Sequence, residues 1–367
     1  MGAPRPGLPD FPWDALVPYR ERAAAHPDGL VDLSVGTPVD STPEVVRRAL
    51  QGAADAPGYP TTAGPPQLRQ EVRHYLARRW GLQLPDGTGV LPTIGSKELV
   101  AWLPTLLGLG PGDVVAHPEL AYPTYDIGAR LAGATPMPAD SVTALGPRRV
   151  ALMWINSPAN PHGQVLPVEH LAKVVAWARE RGTVVASDEC YREFGWQARP
   201  PSVLDPEVNG GSLEGILAVH SLSKRSNLAG YRAGFVVGDA GIVQRLLDVR
   251  KHAGMMMPSP VAAAMAAALA DDEHVDLQRE RYQNRRARLH AALSGAGFRI
   301  DHSEAGLYLW ATRSEPCWDT VGRLAEAGIL VAPGEFYGPG GAQHVRVALT
   351  ATDERVEAAA RRLASGG

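Results

Sequence analysis

Residues 221–234 read Ser221-Leu222-Ser223-Lys224-Arg225-Ser226-Asn227-Leu228-Ala229-Gly230-Tyr231-Arg232-Ala233-Gly234. Two hydroxyls, a lysine and an arginine eight residues further on suit a ligand that carries both a phosphate and a carbonyl. Hydroxyls and a guanidinium grip phosphate through charge-assisted hydrogen bonds, and a lysine amine condenses with a carbonyl. Only four of the 36 Lys and Arg residues are lysines (Lys97, Lys173, Lys224 and Lys251), so each can be weighed singly. A lone lysine in a serine-rich loop is ordinarily a solvated cation. The segment also fits the S-x-x-K of serine acyl-enzymes, but no lysine here is followed by the Thr-Gly that such a site requires.

Three other segments carry candidate chemistry. Asp188 ends the apolar run Thr183–Asp188, with Tyr191 three residues later. An acid there either caps a helix or partners the protonated ring nitrogen of a pyridine cofactor. Asn156-Ser157-Pro158-Ala159-Asn160-Pro161-His162-Gly163 is a rigid turn that can aim the Asn160 amide at a ligand, or simply reverse the chain. Thr93-Ile94-Gly95-Ser96-Lys97-Glu98 puts glycine and serine at a helix start, where free amides bind anions.

The elements that must position these residues follow from patterning. Short apolar runs alternating with amphipathic segments predict a mostly parallel sheet covered by helices, an α/β fold. Strands are expected at Asp113–His117, Arg149–Ile155, Thr183–Asp188, Ile216–Ser221 and Ala233–Gly238. Helices are expected from Pro43 with Thr42 as cap, over Lys97–Gly108 behind Ser96, and over Val168–Arg181 between Pro167 and Gly182. From about Asp271 a long charged helix (Glu273–Leu293) leads into strands Gly306–Thr312 and His344–Thr350, with helices Trp318–Ala327 and Asp353–Ala364. This predicts a large domain over 38–272 and a smaller α+β unit from 1–37 with 273–367. Pro339-Gly340-Gly341 reads as a mobile surface turn.

The 367 residues carry a net charge of −3 with no basic block, which argues against nucleic acid as a partner. Cys190 and Cys317 are too few for a disulfide framework and lack metal-ligand spacing, so no metal is expected, and Cys190 reads as a buried thiol. Pro4, Pro6, Pro9 and Pro12 break the start of the chain. Val261–Ala270 is too short to span a bilayer. No membrane or secretory signal is legible, and a cytoplasmic protein is expected.

In order and spacing, these segments resemble fold-type I pyridoxal-phosphate (PLP) aminotransferases of the aspartate aminotransferase superfamily. The resemblance runs from Val35-Gly36-Thr37-Pro38 through Gly58-Tyr59-Pro60, Ile94-Gly95-Ser96-Lys97-Glu98, Ala121-Tyr122-Pro123-Thr124-Tyr125, Asn156…Gly163, Asp188-x-x-Tyr191 and Ser221-x-x-Lys224-(x)7-Arg232 to Val345-Arg346-Val347. It implies that Lys224 holds PLP through its amine. Ser221, Ser223 and Arg232 would grip the phosphate, with backbone amides of Ser96 and Lys97. Asp188 would keep the ring nitrogen protonated, Tyr191 and Asn160 would bond the ring 3-oxygen, and Tyr122 would stack on the ring. Arg346 would clamp the substrate α-carboxylate, with Gly36 leaving room beside it. Tyr59 would reach the cofactor of a second copy, implying a homodimer with shared sites.

A finer resemblance is to the actinobacterial type of N-succinyldiaminopimelate aminotransferase. It is carried by Leu8-Pro9-Asp10-Phe11-Pro12-Trp13-Asp14, Ala24-Ala25-His26-Pro27-Asp28-Gly29 and Pro57-Gly58-Tyr59-Pro60-Thr61-Thr62-Ala63-Gly64. It implies exchange of an amino group between N-succinyl-LL-2,6-diaminopimelate and 2-oxoglutarate, in lysine biosynthesis. Arg225 is considered for the succinyl tail, against an ordinary outward-facing arginine. A general aspartate, alanine or aromatic aminotransferase and a PLP C–S β-lyase are the alternatives. A PLP-sensing regulator is set aside because no helix-turn-helix precedes Ser34–Pro38.

Overall fold

The computed structural model describes residues 7–365. Pro4, Pro6 and the outermost residues of the segments 1–37 and 273–367 lie outside them. Seven strands form the main sheet: β1 (Gly89–Ile94), β2 (Val114–His117), β3 (Thr135–Pro138), β4 (Leu152–Asn156), β5 (Val184–Asp188), β6 (Ile216–Ser221) and β7 (Ala233–Gly238). Their order is β1-β7-β6-β5-β4-β2-β3, and only β7 runs antiparallel to its neighbours. Every residue of β4, β6 and β7 is buried, because helices cover both faces of the sheet. That is why these strands read as unbroken apolar runs.

The two edge strands, β1 and β3, were not expected. Thr-Pro-Met-Pro at β3 has exposed ends and two prolines, which an edge tolerates because one side needs no ladder hydrogen bond. β1 likewise contains Pro92 and pairs only with β7. Helix Val168–Arg181 forms where expected. Leu171, Val174, Val175 and Ala178 give it one apolar face, and Gly182 closes it at φ 66°. Boundaries elsewhere shift by one to three residues. Pro43 takes the cap position before Glu44–Gly52, and the next helix starts at Ser96 and ends at Leu106.

The linking helix extends over Glu273–Gly295. A four-stranded antiparallel sheet follows, in the order Ala332–Pro333, Val345–Ala348, Tyr308–Thr312, Arg299–Asp301. The early strand Val31–Asp32 pairs in parallel with Ile329–Leu330, so the N-terminal segment packs with the C-terminal third. Arg285 of the linking helix bonds Asp40 through both terminal nitrogens (2.7 and 2.8 Å) and Asp353 through Nε (2.6 Å), fixing that junction. Pro339 and Gly340 lie at the surface as expected, but Gly341 does not. Gly341 is buried against the backbone of Gly334, where any Cβ would collide. Among the described residues no helix is long and apolar enough to cross a membrane.

Candidate active site

Parallel register brings three chemistry-bearing strand ends together. Asn156 at the end of β4 lies opposite Asp188 at the end of β5, and Asp188 opposite Val219 of β6, two residues before Ser221. Ligands in open α/β sheets bind beyond such carboxyl ends. Ser221 accepts from the Ser223 amide (3.1 Å) and so opens the single turn that carries Lys224. The Lys224 amine donates to the Gly36 carbonyl. Burial, with the charges of Arg346 and Arg232 nearby, lowers its pKa and favours the free amine.

The segment 33–36 is itself pinned. Leu33 donates to Leu330 O and accepts from Ala348 N, each at 2.8 Å. Its Ser34 carbonyl accepts from Arg346 Nη2 at 2.7 Å, while Nη1 donates to Asn160 Oδ1 at 3.0 Å. Gly36 is required by space: a Cβ there would lie within 2.8 Å of the Tyr308 ring. Arg346 is only 3 % exposed, its Nε has no partner, and it lies 3.9 Å over Tyr308 and 4.9 Å over Tyr337.

Asp188 is buried. Its Oδ2 accepts from the Tyr125 hydroxyl (2.9 Å) and Oδ1 from the Cys190 amide (3.1 Å). Desolvation raises its pKa in spite of these bonds, so a cationic partner would relieve a real cost. Tyr191 and Tyr308 share a hydroxyl–hydroxyl bond of 2.9 Å. Burial pushes Tyr191 well up. Tyr308, although equally buried, is drawn below its usual value by the Arg346 and Lys224 charges. Tyr122 is pushed up to about 12 by burial, and its ring meets Tyr125 edge-on at 5.9 Å.

Arg232 adopts a left-handed conformation (φ 57°) and donates to Ala229 O at 2.7 Å. Its guanidinium covers Gly95, where a Cβ would collide, directly before the helix that starts at Ser96. Gly234 is just as tight: its Cβ would stand 3.1 Å from the Ser96 amide. Lys97 projects outward on the same first turn.

These positions fit PLP. Lys224, Arg232 and Arg346 form no ion pair among the described residues, so two guanidiniums and an amine face the site unpaired, with Asp188 as its buried carboxylate. Ser221, Ser223, Arg232 and the first amides of the Ser96 helix suit the phosphate. Asp188 suits the ring nitrogen, and the Lys224 amine suits the carbonyl. When bound, the cofactor supplies the electron sink that stabilises negative charge on the substrate Cα. Lys224, with its free amine, would then be placed to take and return the proton at Cα.

Tyr59 is 97 % exposed. Two expected residues behave differently. Arg225 is neither outward-facing nor free for a ligand. It is buried, 3.3 Å from Glu193 Oε1, stacked 4.7 Å from Tyr75 and bonded to Ala268 O. Cys190 is half-buried rather than fully enclosed, and its thiol is held well above the usual value by burial and the Asp188 charge. Cys317 is buried, and no metal-holding group of acids, histidines and cysteines exists among the described residues.

Five further residues had not been assigned a role. Tyr125 bonds Asp188, Asn156 orients the turn by accepting from Asn160 N (2.8 Å), and Tyr308 and Tyr337 both pack against Arg346. Trp13 packs on Phe336 (5.2 Å) and Tyr337 (6.4 Å), extending this aromatic wall into the N-terminal segment. Tyr125 stands in a quoted motif. Tyr308 and Tyr337 lie in apolar stretches where a tyrosine signals core as readily as site.

Fold and constellation together define an aspartate aminotransferase-like, PLP-dependent enzyme. The chain belongs to the family aminotransferase class I and II, whose model matches residues 28–363. It is 62 % identical over 356 residues to the 4-dedimethylamino-4-oxo-anhydrotetracycline transaminase of Streptomyces rimosus (97 % of this chain, 99 % of that one). It is 64 % identical over 356 residues to a probable aminotransferase of Mycobacterium tuberculosis (97 % and 85 %). Among solved structures, a probable N-succinyldiaminopimelate aminotransferase from Thermus thermophilus superposes with a TM-score of 0.86 at 28 % identity (97 % and 100 % covered).

Proposed function

We propose that this aminotransferase takes its substrates as amino and 2-oxo acids through Arg346, with glutamate and 2-oxoglutarate as one pair. The observation that carries this reading is the buried Arg346 guanidinium. Among the described residues it has no counter-ion, and it is held by Asn160 and the Ser34 carbonyl. An uncompensated buried cation is costly, and a bidentate carboxylate relieves that cost. Within the same proposal, Lys224, Asp188 and Tyr191 are the catalytic groups. Ser96, Lys97, Tyr122, Asn160, Ser221, Ser223 and Arg232 hold the cofactor, Tyr59 reaches it from a second copy, and Gly36 and Asn160 shape the substrate side.

For the second substrate we propose N-succinyl-LL-2,6-diaminopimelate, supported by the N-terminal motifs and by the Thermus thermophilus neighbour. Arg225 supplies no charge for the succinyl tail, since it is committed to Glu193. A second reading, amination of a ring-borne ketone, is favoured by the 62 % identical Streptomyces relative and by the wall of Tyr122, Tyr308, Tyr337 and Trp13. The test is kcat/KM for succinyldiaminopimelate against aspartate, alanine and phenylalanine, each paired with 2-oxoglutarate. A preference below about tenfold, only ~1.4 kcal/mol, would remove the succinyl reading.

The shared-site homodimer is supported by the exposure of Tyr59. Mixing Tyr59→Phe and Lys224→Ala subunits should restore activity in the heterodimer, and a fully active monomer would remove the idea. The division into 38–272 and 1–37 with 273–367 is part of the proposal, supported by the separation of the seven-stranded sheet from the four- and two-stranded ones. Limited proteolysis should cut near those boundaries first.

A further inference from the structure

A cavity of about 540 Å³ lies between three elements. Arg79 and Trp80 line it from the end of helix Pro66–Trp80, and Arg192, Trp196 and Arg199 from the segment after Tyr191. Arg279 of the linking helix completes it. The volume is in the range of small-molecule sites. Although the whole chain carries −3, four guanidiniums line this cavity against one lining carboxylate, Glu193. Arg79 has a further partner in Asp276 at 2.6 Å, which leaves Arg192, Arg199 and Arg279 as the excess.

Glu193 is already fully engaged. It accepts from the Tyr75 hydroxyl (2.7 Å) and Arg79 Nε (3.1 Å), and it pairs with Arg225 at 3.3 Å. Arg199 and Arg279 form no ion pair among the described residues and bond only the carbonyls of Trp80 (3.1 Å) and Gly195 (2.6 Å). Arg192 is 3 % exposed; its nearest carboxylate, Asp205, is 3.6 Å away, and its Nη1 has no partner. Burying such a donor unpaired is costly until something accepts from it.

The aromatic faces are already occupied. Arg192 lies 4.1 Å over Trp80, and Arg279 5.3 Å over Trp196. A guanidinium stacked this way keeps its N–H edge for in-plane acceptors. The cavity therefore offers donors and positive charge rather than an open ring face.

We propose that this cavity is a second binding site, distinct from that at Lys224, for a small multiply charged anion. Phosphate groups and clustered carboxylates share the required chemistry, since both accept bidentate pairs from arginine.

The test is calorimetric titration of the PLP-loaded enzyme in 0.15 M salt with pyrophosphate in one arm and citrate in the other. Saturable binding of at least one probe is expected. It should weaken at least tenfold in Arg199→Gln/Arg279→Gln and stay unchanged in Arg346→Met and in Arg361→Gln, an exposed control. The stronger probe identifies the ligand as phosphate or carboxylate. Should the double variant not fold, Arg199→Gln alone should weaken binding at least threefold. Absence of saturable binding by both probes, or loss in Arg346→Met with retention in the Arg199 and Arg279 variants, would overturn the site.

Discussion

Lys224 and Arg225 are neighbours in sequence, yet their surroundings are built on opposite principles. On one side, Lys224 faces Arg232 and Arg346 with no carboxylate paired to any of them among the described residues. On the other, Arg225 reaches Glu193, which also binds Arg79 and Tyr75, and Arg79 has a second carboxylate in Asp276 at 2.6 Å, so charge is balanced inside the protein. A buried cation left without a counter-ion is a place prepared for an external anion. A buried cation given one is part of the scaffold. The contrast separates binding residues from structural ones where residue type alone does not.

The sharpest way to break the contrast is Lys224→Ala. In the proposed reading it removes both the cofactor attachment and the proton carrier at Cα, and kcat should fall by about 10⁴-fold or more, read under saturating substrate. Borohydride reduction and peptide mapping should mark Lys224 in the parent enzyme, and labelling of Lys97, Lys173 or Lys251 instead would undo the assignment.

Next comes the pair Arg346→Met and Arg225→Met. The first should lose about two to four decades in kcat/KM for every acid substrate, from ~3–5 kcal/mol of unpaired carboxylate, with the melting temperature unchanged or raised. The second should do the reverse: about 3–5 kcal/mol of stability lost, a Tm lower by about 4–6 °C, and an unchanged KM for 2-oxoglutarate. If Arg225→Met raised that KM tenfold with Tm intact, the distinction would fail.

Acid should expose a further cost of the buried scaffold. Burial, together with the charges of Arg192 and Arg225, brings His220 down to about 3, and burial brings His162 to about 4. Unfolded histidine takes its proton near pH 6.5. Below that value the unfolded chain binds more protons than the folded one, so stability declines as pH falls from 6.5 toward 4. Tm measured against pH should show this slope, and His220→Phe, which keeps the stack on Phe235, should flatten it. The smallest effect is expected from Tyr308→Phe. Loss of the bond to Tyr191 should cost about 0.5–1.5 kcal/mol, two- to tenfold in kcat, and should shift the pH profile.

Much of this protein is determined by sequence alone. β4, β6 and β7 are buried on both faces, so their residues had to be continuously apolar, and such runs are visible without a structure. Lys224, Asp188 and Asn160 are visible too, because each follows closely on such a run. Edge strands β1 and β3 were hidden, since an edge tolerates proline and exposure and leaves no periodic trace. The packing of Gly341 on Gly334 was hidden for a related reason: glycine marks a close approach as well as a loose turn. What only the tertiary structure decided is which charges are paired. Glu193 meets Arg225 across 32 residues of sequence, and Arg346 meets Asn160 across 186, so whether a guanidinium is neutralised or left waiting depends on contacts that chain order does not contain.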